Sequence, residues 1–516
     1  MTNTPNPVTL PPMDRYNQEL IGHVHPRDWT NPTPADLYDL VVIGAGTAGL
    51  VVAAGAAGLD VGLKVALIER HLMGGDCLNV GCVPSKCVIR SSRVVADMKN
   101  SLPFGINPPE KIDIDFAAVM ERMRRLRAGI SHHDSAQRFQ NIGVDVFLGA
   151  GTFSSDRTIE VAGQTLSFKK AVIATGARAV RPKVEGLEEA GFLTNETVFS
   201  LTECPKRMAV IGAGPIGCEL AQSFHRLGSQ VILFHNKSHI LDREDPDAAE
   251  IVQEQFYKEG IEIIFNSKMH RVEKTDAGKV IHYSGNGSDK LQTIVVDEIL
   301  AGAGRAPNVE GLGLENVGVE YDTRKGVLVN DNLQTTNPKI YAAGDICMNW
   351  KFTHAADAAA RIVIKNTLFS PFGFGKYKLS DLVMPWATYT DPEIAHVGLY
   401  EQEAHEKGIE IETIKILMSA VDRAIADGET EGFVKIHYKK GSDEIVGATI
   451  VSRHAGDTIS EITTAMVGKV GLSKLSTAIH PYPTQAEGIK KAADAYRRTL
   501  LTPKTKKFLA FLTKIS

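Results

Sequence analysis

The sequence predicts an α/β protein with two Rossmann-like units and a smaller C-terminal α+β domain, on three observations. A glycine-rich turn lies between an apolar strand and a small-residue helix at residue 44. The same arrangement recurs at residue 212. After about Asp381 these turns stop, and alternating strands are followed by a longer helix.

In the first unit, Leu40-Val41-Val42-Ile43 has the unbroken apolar pattern of a strand buried on both faces. Gly44-Ala45-Gly46-Thr47-Ala48-Gly49 follows, then a helix rich in alanine and glycine. Gly44, Gly46 and Gly49 permit a tight turn and the close approach of a pyrophosphate to a helix N-terminus. Val65 to Ile68 forms the next strand, ending at Glu69, where a carboxylate can accept from a ribose diol. Strand, turn, helix, strand and acid in register make a strong dinucleotide signature. Leu40 to Leu59 is uncharged and long enough to span a bilayer. Its glycines and internal turn instead fit a buried strand-turn-helix, so no membrane span is expected.

The second unit runs from the strand Arg207 to Ile211 through Gly212-Ala213-Gly214-Pro215-Ile216-Gly217. A helix over Cys218 to Leu227 and a strand over Gln230 to Phe234 complete it. No acid follows that strand; His235, Asn236 and Lys237 do. A carboxylate would repel a 2′-phosphate, whereas His235 and Lys237 can accommodate one. NADPH is therefore expected in preference to NADH.

At 516 residues, two to four domains are expected. A hydrophobic content of 43% with 23% charged residues belongs to soluble globular proteins, and a net charge of -4 gives no reason to expect nucleic-acid binding. Six cysteines without a dense pattern point to a reducing, cytoplasmic setting, where a disulfide serves catalysis more often than structure. Residues 1–37 are polar, lack the apolar core of a signal peptide and are expected to form a flexible arm.

The most informative segment is Gly74-Gly75-Asp76-Cys77-Leu78-Asn79-Val80-Gly81-Cys82-Val83-Pro84-Ser85-Lys86. On a regular helix, positions five apart are about 7.5 Å apart along the axis. A disulfide wants its Cα atoms within roughly 4.4–6.8 Å. The segment must be irregular if the pair is to close, and its three glycines supply that freedom. Pro84 suits the opening of a helix from Ser85 to about Met98, which puts Cys82 near an N-terminus that favours a thiolate.

This run resembles the redox-active site of the FAD-dependent pyridine nucleotide-disulfide oxidoreductases. The resemblance, over roughly residues 38 to 500, implies FAD in the first unit and the nicotinamide coenzyme in the second. It extends to Ala171 to Gly176, to Gly304-Arg305-Ala306-Pro307-Asn308 and to Ile340 to Asp345. By resemblance, Asp345 holds the ribityl chain, while Lys86 and Glu219 pair beside the flavin. Gly151, Thr175, Gly176, Gly304 and Thr353 complete the expected cofactor-binding set. One departure is Pro215, which stands where many relatives place an aromatic gate. The family's organisation divides the chain into FAD-binding segments 38–190 and 305–380 around an NAD(P)H-binding segment 191–304. An interface domain, 381–502, and a tail, 503–516, follow. Residues 381–502 imply a homodimer in which the last motif completes the partner's site.

That motif is His480-Pro481-Tyr482-Pro483-Thr484-Gln485-Ala486-Glu487. Glutathione and lipoamide enzymes have a proton-donating histidine where alignment of Thr484 and Glu487 places Tyr482. His480, two positions earlier, can face the same side of an extended segment. The pattern is closer to mercuric reductases, as are Arg243-Glu244-Asp245-Pro246 and Asp422 to Asp427. A terminal vicinal cysteine pair and an N-terminal metal-binding domain, both common there, do not occur in this sequence. The expectation is an oxidoreductase passing electrons from NADPH through FAD to Cys77 and Cys82. Cys82 would be the thiol beside the flavin, and Cys77 the exposed, exchanging one. The two thiolates would hold Hg2+ only as a transient substrate, a soft cation suited to sulfur. The alternatives are reduction of a small or lipoyl disulfide and a low-turnover flavin-bound redox sensor. Cys87, Cys204, Cys218 and Cys347 are expected to be core thiols.

Overall fold

A computed structural model describes residues 8–515. The first unit is a parallel sheet of Val144–Leu148, Val65–Glu69, Tyr38–Ile43, Gln164–Ile173 and Ile340–Ala342, in that order. The last strand comes from far along the chain. The polypeptide leaves this sheet after Ile173 and returns at Ile340. An antiparallel hairpin, Thr152–Ser155 and Thr158–Val161, extends the other end of Gln164–Ile173. Leu40–Leu59 forms the strand Tyr38–Ile43 and helix Thr47–Ala57. No helix among the described residues is long and apolar enough to cross a membrane.

The second unit is a smaller parallel sheet, Glu262–Ile264, Gln230–Phe234, Arg207–Ile211 and Glu298–Ala301, beside an antiparallel three-stranded sheet spanning residues 268–296. Its helix is Pro215–Arg226, starting at the proline rather than at Cys218. Pro215 has no N–H to satisfy, and its fixed φ suits a first turn.

An antiparallel sheet of Pro385–Thr388, Glu393–Gly398, Ile445–Ser452, Phe433–Lys439 and Ile411–Leu417 forms the third unit. Helices Ala455–Val467 and Glu487–Thr499 bury Ile459, Ile462, Ile489 and Ala492 in its core. The motif Arg243 to Pro246 joins this unit to the second. Glu244 accepts from Trp386 Nε1 at 2.9 Å and Tyr400 OH at 2.6 Å, and Lys435 bridges Asp245 and Asp247.

The N-terminal segment departs from the expected flexible arm. Residues 1–7 lie outside the described residues, but Arg15–Val24 is a helix capped by Asp14, with Leu20, Ile21 and Val24 buried. Trp29 is buried too, and its indole donates to Val146 O at 3.1 Å. These apolar residues are few and widely spaced among prolines and asparagines, so composition hid them. Arg127, buried in helix Phe116–Ser131, donates to Asn17 Oδ1 at 2.7 Å and Asn79 O at 2.6 Å. The N-terminal helix thereby helps brace the segment that carries Cys77. At the other end, helix Pro503–Ile515 buries no residue, and all but half-buried Thr505 are exposed.

Candidate active site

Two broken helices shape the cysteine segment. Gly74 and Gly75 have φ of 88° and 55°, and the short helix Gly75–Asn79 holds Cys77. Gly81 then breaks the path, and a second helix runs Cys82–Lys99. It starts two residues before Pro84, which makes Cys82 its first helical residue. Its N-terminus carries no side-chain cap, so the free amide dipoles favour a thiolate there.

Both cysteines are free thiols. A hydrogen bond from Cys77 holds Cys82 down at about 6, aided by Thr353 and the Lys86 charge against the opposing effect of burial. The same hydrogen bond and burial push Cys77 far up. The pair therefore divides into a thiolate at Cys82 and a protonated thiol at Cys77. Cys77 is half-buried, and Cys82 lies at the helix end facing Thr353. Cys77 sits inside a packed helical turn beside buried Leu78, whereas Cys82 stands at an open helix end.

Thr353, at the start of helix Thr353–Leu368, places its hydroxyl 3.2 Å from Cys82 Sγ. Lys86, one turn beyond Cys82, meets Glu219 at 2.9 Å. Burial alone would lower the Lys86 ammonium, but the Glu219 carboxylate keeps it above its ordinary value. Glu219 is buried and also accepts from Tyr389 N at 2.9 Å, while the Tyr389 ring lies 4.3 Å from Lys86 Nζ. Three units converge on this pair.

The glycine loops fit dinucleotides. A Cβ at Gly49 would lie 1.8 Å from Gly44 O, and one at Gly217 1.8 Å from Gly212 O, so both helices start against their own strands. The middle glycines are open instead: at Gly214 nothing lies within 4 Å, and at Gly46 the nearest atom is Gly75 Cα at 3.7 Å. Neither following helix has a side-chain cap, leaving N–H groups free for phosphate oxygens. Gly75 against Gly46 puts the cysteine segment beside the first loop. Gly151 packs on Ile68 and Ile43 at the strand ends. Thr175 and Asn308 exchange hydrogen bonds at 3.0 and 2.9 Å, and Asn308 N donates to Gly176 O. Gly304 O receives Val180 N at 3.0 Å. Arg305 bridges Asp76 and Asp345, its Nε lying 3.5 Å from Asp345 Oδ2. Glu69, Asp345 and the first loop could hold the flavin dinucleotide, with Lys86, Glu219 and Thr353 at its reactive end.

The structure corrects the role expected of His235. It is buried, burial lowers its pKa, and its Nδ1 accepts from Ala213 N at 3.3 Å. Glu69 does the same for Ala45 N at 2.7 Å in the first loop. His235 is thus a neutral tether of the glycine loop rather than a cation facing a phosphate. Lys237 is exposed and free to meet one.

The C-terminal motif stays apart from the cysteines within one chain. His480 pairs with Glu461 at 2.6 Å, Tyr482 OH donates to Asp422 Oδ2 at 3.0 Å, and Glu487 meets Lys491 at 3.0 Å. Tyr482 is 73% exposed, so its face is available to another chain. Cys218 is buried and donates to Ala213 O. Burial raises Cys87, Cys204, Cys218 and Cys347, which makes all four poor nucleophiles. Tyr389 and Arg127 went unnoticed in the sequence, where no motif marks them. No group of three or more His, Cys, Asp or Glu among the described residues could hold a resident metal.

Residues 38–360 match the pyridine nucleotide-disulphide oxidoreductase family profile, and residues 384–493 match that family's dimerisation domain. A mercuric reductase of Staphylococcus aureus is 36% identical over 456 residues, 88% of this chain and 82% of the relative. A dihydrolipoyl dehydrogenase of Thermus scotoductus is 34% identical over 470 residues, 89% and 98% of the two chains. Among solved structures, the HOCl-induced flavoprotein disulfide reductase RclA of Escherichia coli superposes with a TM-score of 0.77 at 25% identity, covering 89% and 99%. LpdA of Mycobacterium tuberculosis does so with 0.80 at 26%, covering 90% and 100%.

Proposed function

The chain belongs to the FAD-binding, pyridine nucleotide-dependent disulphide oxidoreductases, and on that premise we propose that it reduces Hg2+ to Hg(0) at Cys77 and Cys82 with electrons from NADPH. The observation that carries this reading is the C-terminal motif. Tyr482 stands where disulfide reductases keep a proton donor, and its hydroxyl is engaged by Asp422. Reducing a disulfide requires protonation of a leaving thiolate. Reducing a metal ion does not.

FAD, when bound, would supply two-electron transfer from NADPH, first to open the Cys77–Cys82 disulfide and, in each turnover, two electrons to the Hg2+ that the two thiolates hold, giving Hg(0). The chain's own groups do the rest. Thr353 and Lys86 hold Cys82 as a thiolate, and Cys77 supplies the second sulfur on losing its proton to solvent. Two thiolates bind a soft cation linearly or nearly so. Glu219 holds Lys86 in place through its fixed contact with Tyr389 N. We place the active unit in a homodimer in a reducing cytoplasm, with Tyr482 facing the partner's cysteines.

The test compares kcat/KM for HgCl2 with excess small thiol against oxidised glutathione and lipoamide at one pH. Mercury should exceed either disulfide by more than about tenfold, and Tyr482→Phe should impair it while coenzyme oxidation by an artificial acceptor persists. A disulfide preferred by more than about tenfold overturns the reading. That outcome favours the reductase alternative, which draws on the His480–Glu461 pair because a carboxylate-oriented imidazole can deliver a proton. Negligible turnover of every oxidant favours the sensor.

The NADPH preference rests on Lys237, now that His235 is a neutral tether. Lys237→Glu should raise KM for NADPH about tenfold, the cost of one charge-assisted contact, with KM for NADH nearly unchanged. Equal effects on both coenzymes would remove Lys237 from the 2′-phosphate site.

A further inference from the structure

Cys77 lines a cavity of about 200 Å³. That is smaller than the roughly 300–1,000 Å³ of pockets for drug-sized ligands. Leu50, Val51, Val83 and Ile130 make its wall apolar, and Asp134 is the one charged side chain among the lining residues. Asp134 closes the turn after helix Phe116–Ser131 and reaches the Gly74 loop, where its Oδ2 lies 2.9 Å from the place of a Cβ. Its side chain makes no hydrogen bond or ion pair among the described residues. Burial raises its carboxyl, and His133 and Arg138 only partly offset that.

An unpaired carboxylate against an apolar wall is costly, and its field there is poorly screened. The cations that act on it, Arg138 and His133, make no ion pair with it and only partly offset its burial. We propose that Asp134 is a specificity-determining residue that turns anionic substrates away from Cys77 and admits small neutral or cationic thiol-reactive species. The inference rests on Cys77 as the thiol that meets substrate. It would disfavour a dianion such as oxidised glutathione while leaving a cation or its neutral complex with a small thiol unhindered.

Site-resolved alkylation of the NADPH-reduced holoenzyme tests this without any turnover. Iodoacetate and iodoacetamide react by the same displacement and differ in charge. The rate ratio, iodoacetate over iodoacetamide, is measured at Cys77 by fragment mass spectrometry and compared with that of a small uncharged free thiol. In the parent the ratio should fall about fivefold below the free-thiol value, the size of one unit charge about 4 Å away in water. Asp134→Asn should raise the ratio about fivefold over the parent, the charge of the Cys82 thiolate being common to both, and Asp134→Glu should keep it low. A parent ratio equal to that of the free thiol overturns the proposal, even where the variants do not fold. So does an Asp134→Asn effect equal for both reagents. Should mercury prove a poor substrate, the ratio still decides the role of Asp134.

Discussion

Replacing Cys82 by serine should lower NADPH-dependent reduction of any thiol-reactive oxidant by on the order of a thousandfold or more, as expected when a group acting as part of one unit is lost. A hydroxyl cannot accept the two-electron sulfur chemistry, and its proton is not released near neutrality. Alkylation provides an independent check. In the parent, the rate at Cys82 should rise as pH passes through about 6, where its thiol ionises, rather than through about 8.5 as for an ordinary cysteine. The sign follows from the first cause of the shift: Cys77 donates to the thiolate and so favours the charged form. Cys77→Ala removes that donor and should move the profile to higher pH. A Cys82 profile unchanged in Cys77→Ala would show that the helix end, Thr353 and Lys86 hold the thiolate alone.

Glu219→Ala should destabilise the protein by about 3 kcal/mol, the low end of the cost of breaking a buried ion pair. The low end applies because the Lys86 side chain is 37% exposed and can recruit water. The substitution also orphans Tyr389 N, so part of the loss is an unmet backbone donor. Glu219→Gln keeps an acceptor for that N–H and should recover about half. Lys86→Met combined with Glu219→Gln removes the uncompensated charge and should be more stable than Glu219→Gln alone. Urea midpoints of the parent and these variants give the comparison. Equal midpoints for Glu219→Ala and the parent would mean that the pair serves electrostatics at the site and contributes nothing to holding the units together.

Local chemistry made the two glycine loops and the cysteine segment legible from residues alone. Gly49 and Gly217 are required by backbone contacts only five residues away, with Gly44 O and Gly212 O, so the spacing itself records the geometry. Cys82 at a helix start followed from Pro84 and Gly81 in the same way, within one helix turn. The return of the chain to its first sheet at Ile340 was legible only through resemblance, because nothing near that strand names its partner, Gln164–Ile173.

The failures have one physical origin. By residue type, His235 can carry a charge that accommodates a 2′-phosphate. Burial disfavours that charge against the opposing Asp242 carboxylate, and burial is a property of the packed molecule. The arm was judged by composition, yet a handful of apolar side chains suffices to dock a helix when a core face awaits them.

The sequence by itself determined the two dinucleotide units, the redox pair and its place at a helix end, because these depend on backbone geometry over a few residues. Only the tertiary structure decided which groups surround the two thiols. Thr353 reaches Cys82 across 271 residues and Glu219 reaches Lys86 across 133, while Asp134 shares a cavity with Cys77. Electrostatic and hydrogen-bond partners act through space at a few ångströms, and chain separation carries no record of that distance.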